Sequence, residues 1–314
     1  MTGGFLLSYF LGEEEHDGEQ VRFALSDGPS PVAWTALHGG RPVLRSNVGE
    51  CGVRDPFLVR DEAAGRFVLI ATDLKIGAGQ DWHRATRHGS DAILVWESVD
   101  LVHWDGPVRH RVSGPGAGNT WAPKAFWSAE RGAWLVFWAS ALFDAGEDRE
   151  PGTHQRMMVA QTADFRSFGE PEVYLDQGHD VIDATFLEEG GRWYRFSANE
   201  QGGKPGRGRH IFGEAGSSLD DPAFEPLAED IGKGDMARAE GPAVAADPAG
   251  GRWYLLADEF GLRGYQLFTT TSLAGAAWEH VPEAVLPPGA RHGSLLAITA
   301  DERARLLNHD RSTS

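Results

Sequence analysis

The stretches VRDPFLVRDEAAGRFVLIATD (residues 53–73) and EGPAVAADPAGGRWYLLADEF (residues 240–260) carry the reading of the fold. Each is a pair of short runs rich in β-branched and aromatic residues joined by a glycine turn, the pattern of a β-hairpin. WAPKAFWSAERGAWLVFWAS (121–140) and VIDATFLEEGGRWYRFSAN (181–199) repeat it, with starts spaced by 68, 60 and 59 residues. Each hairpin is followed by further strand-like runs with an Asp turn or a tryptophan: ILVWESVDLVHWDGPV (93–108), QRMMVAQTADFRSFGEPEVY (155–174), the weaker HIFGEAGSSLDDPAFEPL (210–227) and GYQLFTTTSLAGAAWEHV (264–281). Four units of four strands follow from this, at a period long for a propeller blade unless each blade carries a loop.

The chain ends supply the fifth. RHGSLLAIT (291–299) reads as an opening strand with nothing after it, while LLSYFLG (6–12), QVRFALSDGPSPVAWTAL (20–37) and PVL (42–44) read as the remaining strands of a unit. A blade shared between the termini closes the ring and removes exposed strand edges. The expectation is an all-β, five-bladed β-propeller closed by the N-terminal strands and the C-terminal strand, with residues 1–314 as a single catalytic domain. Two β-sandwiches are the alternative, but they leave the Asp turn and tryptophan recurring at DLVHW, DFRSF and SLAGAAW without a cause. Helix is expected only as a short piece near Gln80 to Thr86, and the polar tail DRSTS (310–314) is expected to fray.

Composition fits this reading and excludes others. The 40 Gly and 17 Pro suit many turns, and the 11 Trp and 16 Phe suit packing between blades. A net charge of −17 repels phosphate backbones and anionic lipid, so neither nucleic acid nor a membrane surface is an expected partner. Cys51 is the lone cysteine and cannot form an internal disulfide. The apolar run Phe5 to Leu11 has no basic lead or cleavage pattern, and no run of 18 apolar residues exists, so a cytoplasmic location is expected, with secretion open if a leader is missing. Oligomeric state is left open.

In a propeller, chemistry gathers where the innermost strands begin. Those starts hold Arg54-Asp55-Pro56, Trp121-Ala122-Pro123, Ile182-Asp183, Glu240-Gly241-Pro242 and Arg291-His292-Gly293. Asp55, Asp183 and Glu240 fall at what read as equivalent places in three blades. One such acid is a turn cap or a solvated rim charge; three aligned with the repeat point to a site. Most tryptophans, among them Trp96, Trp104, Trp127, Trp134, Trp138, Trp193, Trp253 and Trp278, are expected to pack between strands and blades. Trp121 at a blade start, Trp82 in the excursion 77–92, and Phe143 and Phe260 are candidates for a sugar pocket. Glu200, Asp258 and Glu259 are expected at the rim without catalytic roles. The Gly-rich EQGGKPGRGRH (200–210) lacks the phosphate-loop pattern and reads as a blade connection.

These motifs together resemble family 43 glycoside hydrolases over nearly the whole chain. The resemblance implies Asp55 as general base, Glu240 as general acid and Asp183 as the carboxyl that tunes the acid's pKa. Ala184 stands where a proline often follows that third Asp, and Asp180 is a rival for its place. The Trp121-Ala122-Pro123 segment after Asn119-Thr120 and the His292-Gly293 pair match the openings of the second and last blades. Arg54, Trp121, Trp82, Phe143 and Arg291 are the expected substrate contacts, Arg54 also helping to keep Asp55 ionised. His292 reads either as a packed, hydrogen-bonded side chain or as a ligand of a cation in the central channel, in the family often Ca²⁺, although imidazole is a poor ligand for a hard cation. No cofactor is expected to be required for the chemistry.

The mechanism so implied is inversion: Glu240 protonates the leaving oxygen while Asp55 activates water on the opposite face, with carboxyls about 6.5–9.5 Å apart. Glu240 then needs a raised pKa, which the Asp183 charge would help supply. The expected substrate is a neutral oligosaccharide or polysaccharide of plant type carrying terminal α-L-arabinofuranosyl units, cleaved from the end. A β-xylosidase or an endo-arabinanase of the same fold are the close alternatives. A glycoside phosphorylase would need a basic cluster opposite the acid, which the sequence does not display, and a non-catalytic glycan-binding propeller would not need the acid set.

Overall fold

The chain enters through β1 (Thr2–Phe10), β2 (Arg22–Ser26) and β3 (Trp34–Ala36), and then builds four successive antiparallel sheets. The first holds β4 (Val53–Asp61), β5 (Arg66–Asp73), β6 (Ala92–Ser98) and β7 (Asp105–Arg111); the second β8 (Trp121–Ser128), β9 (Ala133–Ala141), β10 (Gln155–Thr162) and β11 (Glu172–Leu175). The third holds β12 (Val181–Glu189), β13 (Arg192–Asn199), β14 (His210–Gly216) and β15 (Glu225–Ile231); the fourth β16 (Glu240–Ala246), β17 (Trp253–Glu259), β18 (Gly264–Thr270) and β19 (Glu279–His280). The last strand, β20 (Arg291–Thr299), pairs with β1, giving a fifth four-stranded sheet in the order β20-β1-β2-β3. This is a five-bladed β-propeller closed across the chain ends, seen in a computed structural model that describes residues 2–79, 81–144, 148–199, 209–275 and 277–313.

The strands form because each inner pair alternates apolar residues toward the neighbouring blades. The core accordingly lies between blades: Phe137, Phe186 and Phe196 in one cluster, Leu6, Phe23, Leu69 and Trp96 in another, Phe5, Tyr254 and Leu256 in a third, and Ile70, Val136 and Trp138 in a fourth. Trp96 and Trp138 are fully enclosed as expected, whereas Trp127 departs from the packing role and is exposed.

Each inner strand is bulged near its start. The register slips between Arg54 and Phe57, Trp121 and Lys124, Ile182 and Thr185, and Glu240 and Ala243, and again where β1 passes Arg291. In the first four, the residue after the slip begins has a positive φ: Asp55 at 51°, Ala122 at 50°, Asp183 at 61° and Gly241 at 59°. A bulge bends the strand and re-aims side chains, and here it turns one residue per blade toward the axis.

Of the two α-helices among the described residues, one matches expectation and one departs from it. The short α1 (Trp82–Arg87) falls close to where the sequence placed it, with the Asp81 side chain accepting from the Arg84 amide at 3.0 Å. The second, α2 (Ala300–Thr313), takes in most of the tail expected to fray. Thr299 and Glu302 cap it reciprocally: the Thr299 amide donates to Glu302 Oε2 at 2.8 Å and the Glu302 amide to Thr299 Oγ1 at 3.2 Å. Leu306 anchors it in the core. No helix among the described residues is long and apolar enough to cross a membrane.

Candidate active site

The bulges sort the blade starts into two rings. Asp55, Ala122, Asp183, Gly241 and His292 occupy one, and Arg54, Trp121, Ile182, Glu240 and Arg291 the one before it in sequence. Asp55 and Asp183 are thus equivalent, but Glu240 is one residue early, contrary to the simple alignment. The reason lies at Gly241: a Cβ there would overlap the His292 ring, and its φ of 59° disfavours any side chain. The glycine yields its axial place to His292, and the acid of that blade comes from the residue before.

His292 therefore stands between the acids. Its Nδ1 lies 3.0 Å from Asp55 Oδ1 and 3.8 Å from Asp183 Oδ2, and its Nε2 lies 3.0 Å from Glu240 Oε1 and 3.2 Å from Asp258 Oδ2. The pocket above them has a volume of about 580 Å³ and is lined by Arg54, Trp82, Trp121, Arg209, Arg238, Phe260 and Arg291 as well as Asp55, Asp183, Glu240 and His292. That size is in the range of small-ligand sites.

Each acid has a distinct setting. Asp55 Oδ2 accepts from Thr72 Oγ1 at 2.6 Å, and that hydroxyl oxygen in turn accepts from the Ala122 amide at 2.7 Å. Burial pushes the Asp55 carboxyl up, but the His292 contact, the Arg54 charge and the Thr72 hydroxyl outweigh it and hold it below its ordinary value. Asp183 Oδ2 accepts from the Gly241 amide at 2.9 Å, and burial, together with the Glu240 and Asp55 charges, pushes its carboxyl up. Glu240 is held between cations, with Arg209 Nη1 at 3.0 Å on one oxygen and Arg291 Nη2 at 3.1 Å on the other. Burial raises it, but His292, Arg209 and Arg291 together bring it below the ordinary glutamate value. The expectation of a raised Glu240 is thus reversed in the open pocket: the carboxyl that holds a proton most readily is Asp183, whose nearest oxygen lies within 4.8 Å of a Glu240 oxygen.

Other expected residues divide cleanly. Arg54 lines the pocket but reaches Glu13 at 3.2 Å and Glu19 at 3.1 Å, and its guanidinium lies 4.7 Å from the Phe10 ring and 5.1 Å from the Trp82 ring. Trp82 and Trp121 meet edge to face, 6.1 Å between centroids, and wall that side. Arg291 reaches Asp258 as well as Glu240. Phe143 does not line the pocket: it is buried under the Arg149 guanidinium, 5.3 Å from its ring, and the Arg149 carbonyl accepts from Arg87 Nε of α1 at 3.1 Å, so this aromatic packs a loop contact. Asp180 is also outside, its Oδ1 accepting from the Gln155 amide at 2.7 Å, so the bulge carries Asp183 to the axis and leaves Asp180 in the scaffold. Asp258 and Glu259 are buried, not at the rim, and Asp258 lies directly beneath His292. Glu200 and most of the Gly-rich stretch 200–210 lie outside the described residues.

Sequence reasoning missed Glu13, Arg209, Arg238 and the supports Thr72 and Lys124. Lys124 is buried, donates from Nζ to the Asp183 and Pro242 carbonyls at 3.1 and 2.7 Å, and is brought down to about 8 by burial against the pull of Asp183 and Asp55. Its signal was visible, since a lysine inside an apolar inner strand needs polar partners.

A cation held by His292 fits this site poorly. Asp183, Glu240 and His292 offer ligand atoms within 4.8 Å of one another, but both imidazole nitrogens already face carboxylates, and Arg209, Arg291 and Lys124 supply positive charge around them. Hard cations prefer an oxygen cage, and one placed here would take Glu240 out of service.

The family described as "Probable glycosyl hydrolase domain" (Glyco_hydro_43_rel) matches residues 1–304. The chain belongs to this glycosyl hydrolase family. An α-L-arabinofuranosidase of Bifidobacterium longum subsp. longum is 32% identical over 229 residues, 68% of this chain and 21% of that protein, so this glycosyl hydrolase spans about a fifth of its relative's length. Among solved structures, a thermostable family-43 glycoside hydrolase superposes with a TM-score of 0.57 at 18% identity over 82% of this chain and 83% of the other. The α-L-arabinofuranosidase PaAbf62A of Podospora anserina, solved in complex with cellotriose, superposes at 0.52 with 15% identity over 78% and 72%. At these identities the structures speak for the propeller fold.

Proposed function

We propose that this glycosyl hydrolase is an inverting, exo-acting glycosidase that releases terminal α-L-arabinofuranosyl residues from a glycan. The observation that carries the mechanism is the placement of Asp55 and Glu240 at opposite nitrogens of His292, each with a carboxylate oxygen 3.0 Å from its nitrogen and the imidazole ring between them. Such a gap suits the water of a single displacement, at about 6.5–9.5 Å, better than the about 5–5.5 Å of a covalent one. The sugar name is supported by the Bifidobacterium relative.

In this reading Asp55, held ionised, takes a proton from water attacking the anomeric carbon. The leaving oxygen receives its proton from Glu240. Because Asp183 and Glu240 share one buried region, they act as a coupled pair holding a single dissociable proton. In the open pocket burial and the neighbouring charges make Asp183 the carboxyl that favours that proton, which passes to Glu240 when the sugar excludes water and the leaving oxygen takes up a place beside that carboxyl. Trp82 and Trp121 form the wall against which the terminal sugar packs. Arg209 is on the Glu240 side, bonded to the acid itself and not opposite to it, so it gives no phosphate site of the kind a phosphorylase needs.

The test is a panel of aryl α-L-arabinofuranosides, β-xylosides and β-galactosides with the wild-type chain, Asp55→Asn and Glu240→Gln. We expect turnover of the arabinofuranoside and a loss of at least about 10³-fold in both variants, with folding retained. Turnover of the xyloside alone replaces the sugar assignment; turnover unchanged in both variants removes these residues from the chemistry.

A further inference from the structure

One guanidinium in the pocket wall is not used by the mechanism above. Of the four arginines that line the pocket, Arg54 meets Glu13 and Glu19, Arg291 meets Asp258 and Glu240, and Arg209 meets Glu240. Arg238 meets no carboxylate among the described residues; its bonds are to a backbone carbonyl and an aromatic face.

Its position is built. Arg238 Nε donates to the Phe260 carbonyl at 2.7 Å, and the guanidinium lies 4.5 Å from the Phe260 ring centroid. The preceding amide, Ala237 N, donates to Glu259 Oε1 at 2.8 Å, and Arg263 holds the same carboxylate, tying the segment to the turn after β17. Gly261 leaves room for the arginine: a Cβ there would sit 2.8 Å from Arg238 Nη2, and its φ of 67° favours glycine. With Nε committed, the Nη edge is the part left to face a ligand.

The strip has a direction. Arg209 bonds Glu240 and lies 5.9 Å from the other residue of the stack, Phe260, so a chain of contacts leads away from the acid through Arg209 and Phe260 to Arg238. A general acid faces the leaving oxygen, so this strip borders the leaving portion of the substrate and not the released sugar. A positioned guanidinium that feels the Glu259 charge but has no carboxylate in contact among the described residues matches a ligand carboxylate by charge and by fork geometry, and Phe260 offers an apolar flank to a sugar ring. The neighbouring Glu259 does not fill this need, since Arg263 and the Ala237 amide take up its carboxylate.

We propose that Arg238 is a specificity-determining residue for a carboxylate-bearing sugar, a uronic acid, on the leaving side of the cleaved bond. This rests on the glycosidase reading of the pocket, and it modifies the expectation of a wholly neutral glycan: the net charge of −17 slows an anion's approach, while a short charge-assisted fork decides its binding at contact.

The experiment is calorimetric titration of the full chain at low ionic strength with sodium D-glucuronate, its uncharged methyl ester and inorganic phosphate. Expected is glucuronate binding about tenfold or more tighter than the ester, weakened by salt, with the advantage lost in Arg238→Met and partly kept in Arg238→Lys, both variants melting near the wild type. Equal binding of acid and ester overturns the proposal, as does an advantage that survives in Arg238→Met. Phosphate bound as tightly as glucuronate and lost in the same variant also overturns it, because the site is then one for any small oxyanion. If Arg238→Met fails to fold, Arg238→Lys with the salt dependence decides. Binding is read without turnover, so aryl arabinofuranosides cleaved with no glucuronate preference sink this inference alone, whereas a preference with no glycoside cleaved sinks the glycosidase reading.

Discussion

At the residue scale, the site depends on one imidazole touching three blades' carboxylates and on the glycine that makes room for it. Gly241→Ala places a methyl in the His292 ring and forces a strained φ, so it is expected to cost about 1–3 kcal/mol of stability in urea titration and to lower kcat/KM by at least about tenfold. An unchanged kcat/KM would separate His292 from the acids' alignment. The pH profile follows from the two shifted carboxyls. Asp55 must be ionised and sits below its ordinary value, so activity should persist to pH below the usual aspartate range and be lost only as pH falls through that depressed pKa. The proton shared with Asp183 must be present, and Asp183 is raised, so the alkaline limb should lie above the usual carboxylate range. Asp183→Asn removes the neighbouring charge, and we expect kcat to fall and the alkaline limb to move down by about one pH unit or more, read from kcat/KM against pH; a limb that stays in place would assign the proton elsewhere. Much of this was legible, because Asp55, Asp183, Glu240 and His292 stand at strand starts that repeat. The one-residue offset of Glu240 was not, since a bulge moves the side chain without changing the sequence period. Arg209 and Arg238 were invisible for a related reason: they precede β14 and β16 on connections that have no period to align.

At the element scale, the strands were legible in their hairpins and the C-terminal helix was not. ADERARLLNHDRST has only two large apolar residues, the adjacent Leu306 and Leu307, beside two alanines, so no amphipathic stripe marks it, and its signal was the Thr299–Glu302 capping box at its entry. The helix adds a clasp over the shared blade: Glu302 pairs with Arg60, and Arg303 Nη1 donates to the Gly3 and Ser26 carbonyls at 3.0 and 2.7 Å. Leu306→Ala is expected to cost about 2–4 kcal/mol by denaturant titration while leaving kcat/KM unchanged, because the helix packs on the outside of the ring, away from the pocket. A loss of activity without a loss of stability would contradict that division. Phe143 shows the opposite failure, in which an aromatic in the loop after β9 suggests a pocket wall but serves as a buried platform for the Arg149 guanidinium.

At the scale of the whole molecule, ring closure by β1 and β20 brings Arg291 and His292, near the end of the chain, against Asp55 and Glu240 from other blades. Four axial carboxylates are then balanced by His292, Arg209, Arg291 and Lys124 without a metal ion, so exhaustive chelation is expected to leave both melting temperature and turnover as they were; a loss restored by Ca²⁺ would contradict this balance. The central claim is that Asp55 and Glu240 carry out a single displacement from opposite sides of His292, and proton NMR of the sugar first released from an aryl α-L-arabinofuranoside tests it most directly. The account predicts that the β anomer appears first and then mutarotates; the α anomer appearing first would mean retention and would contradict it.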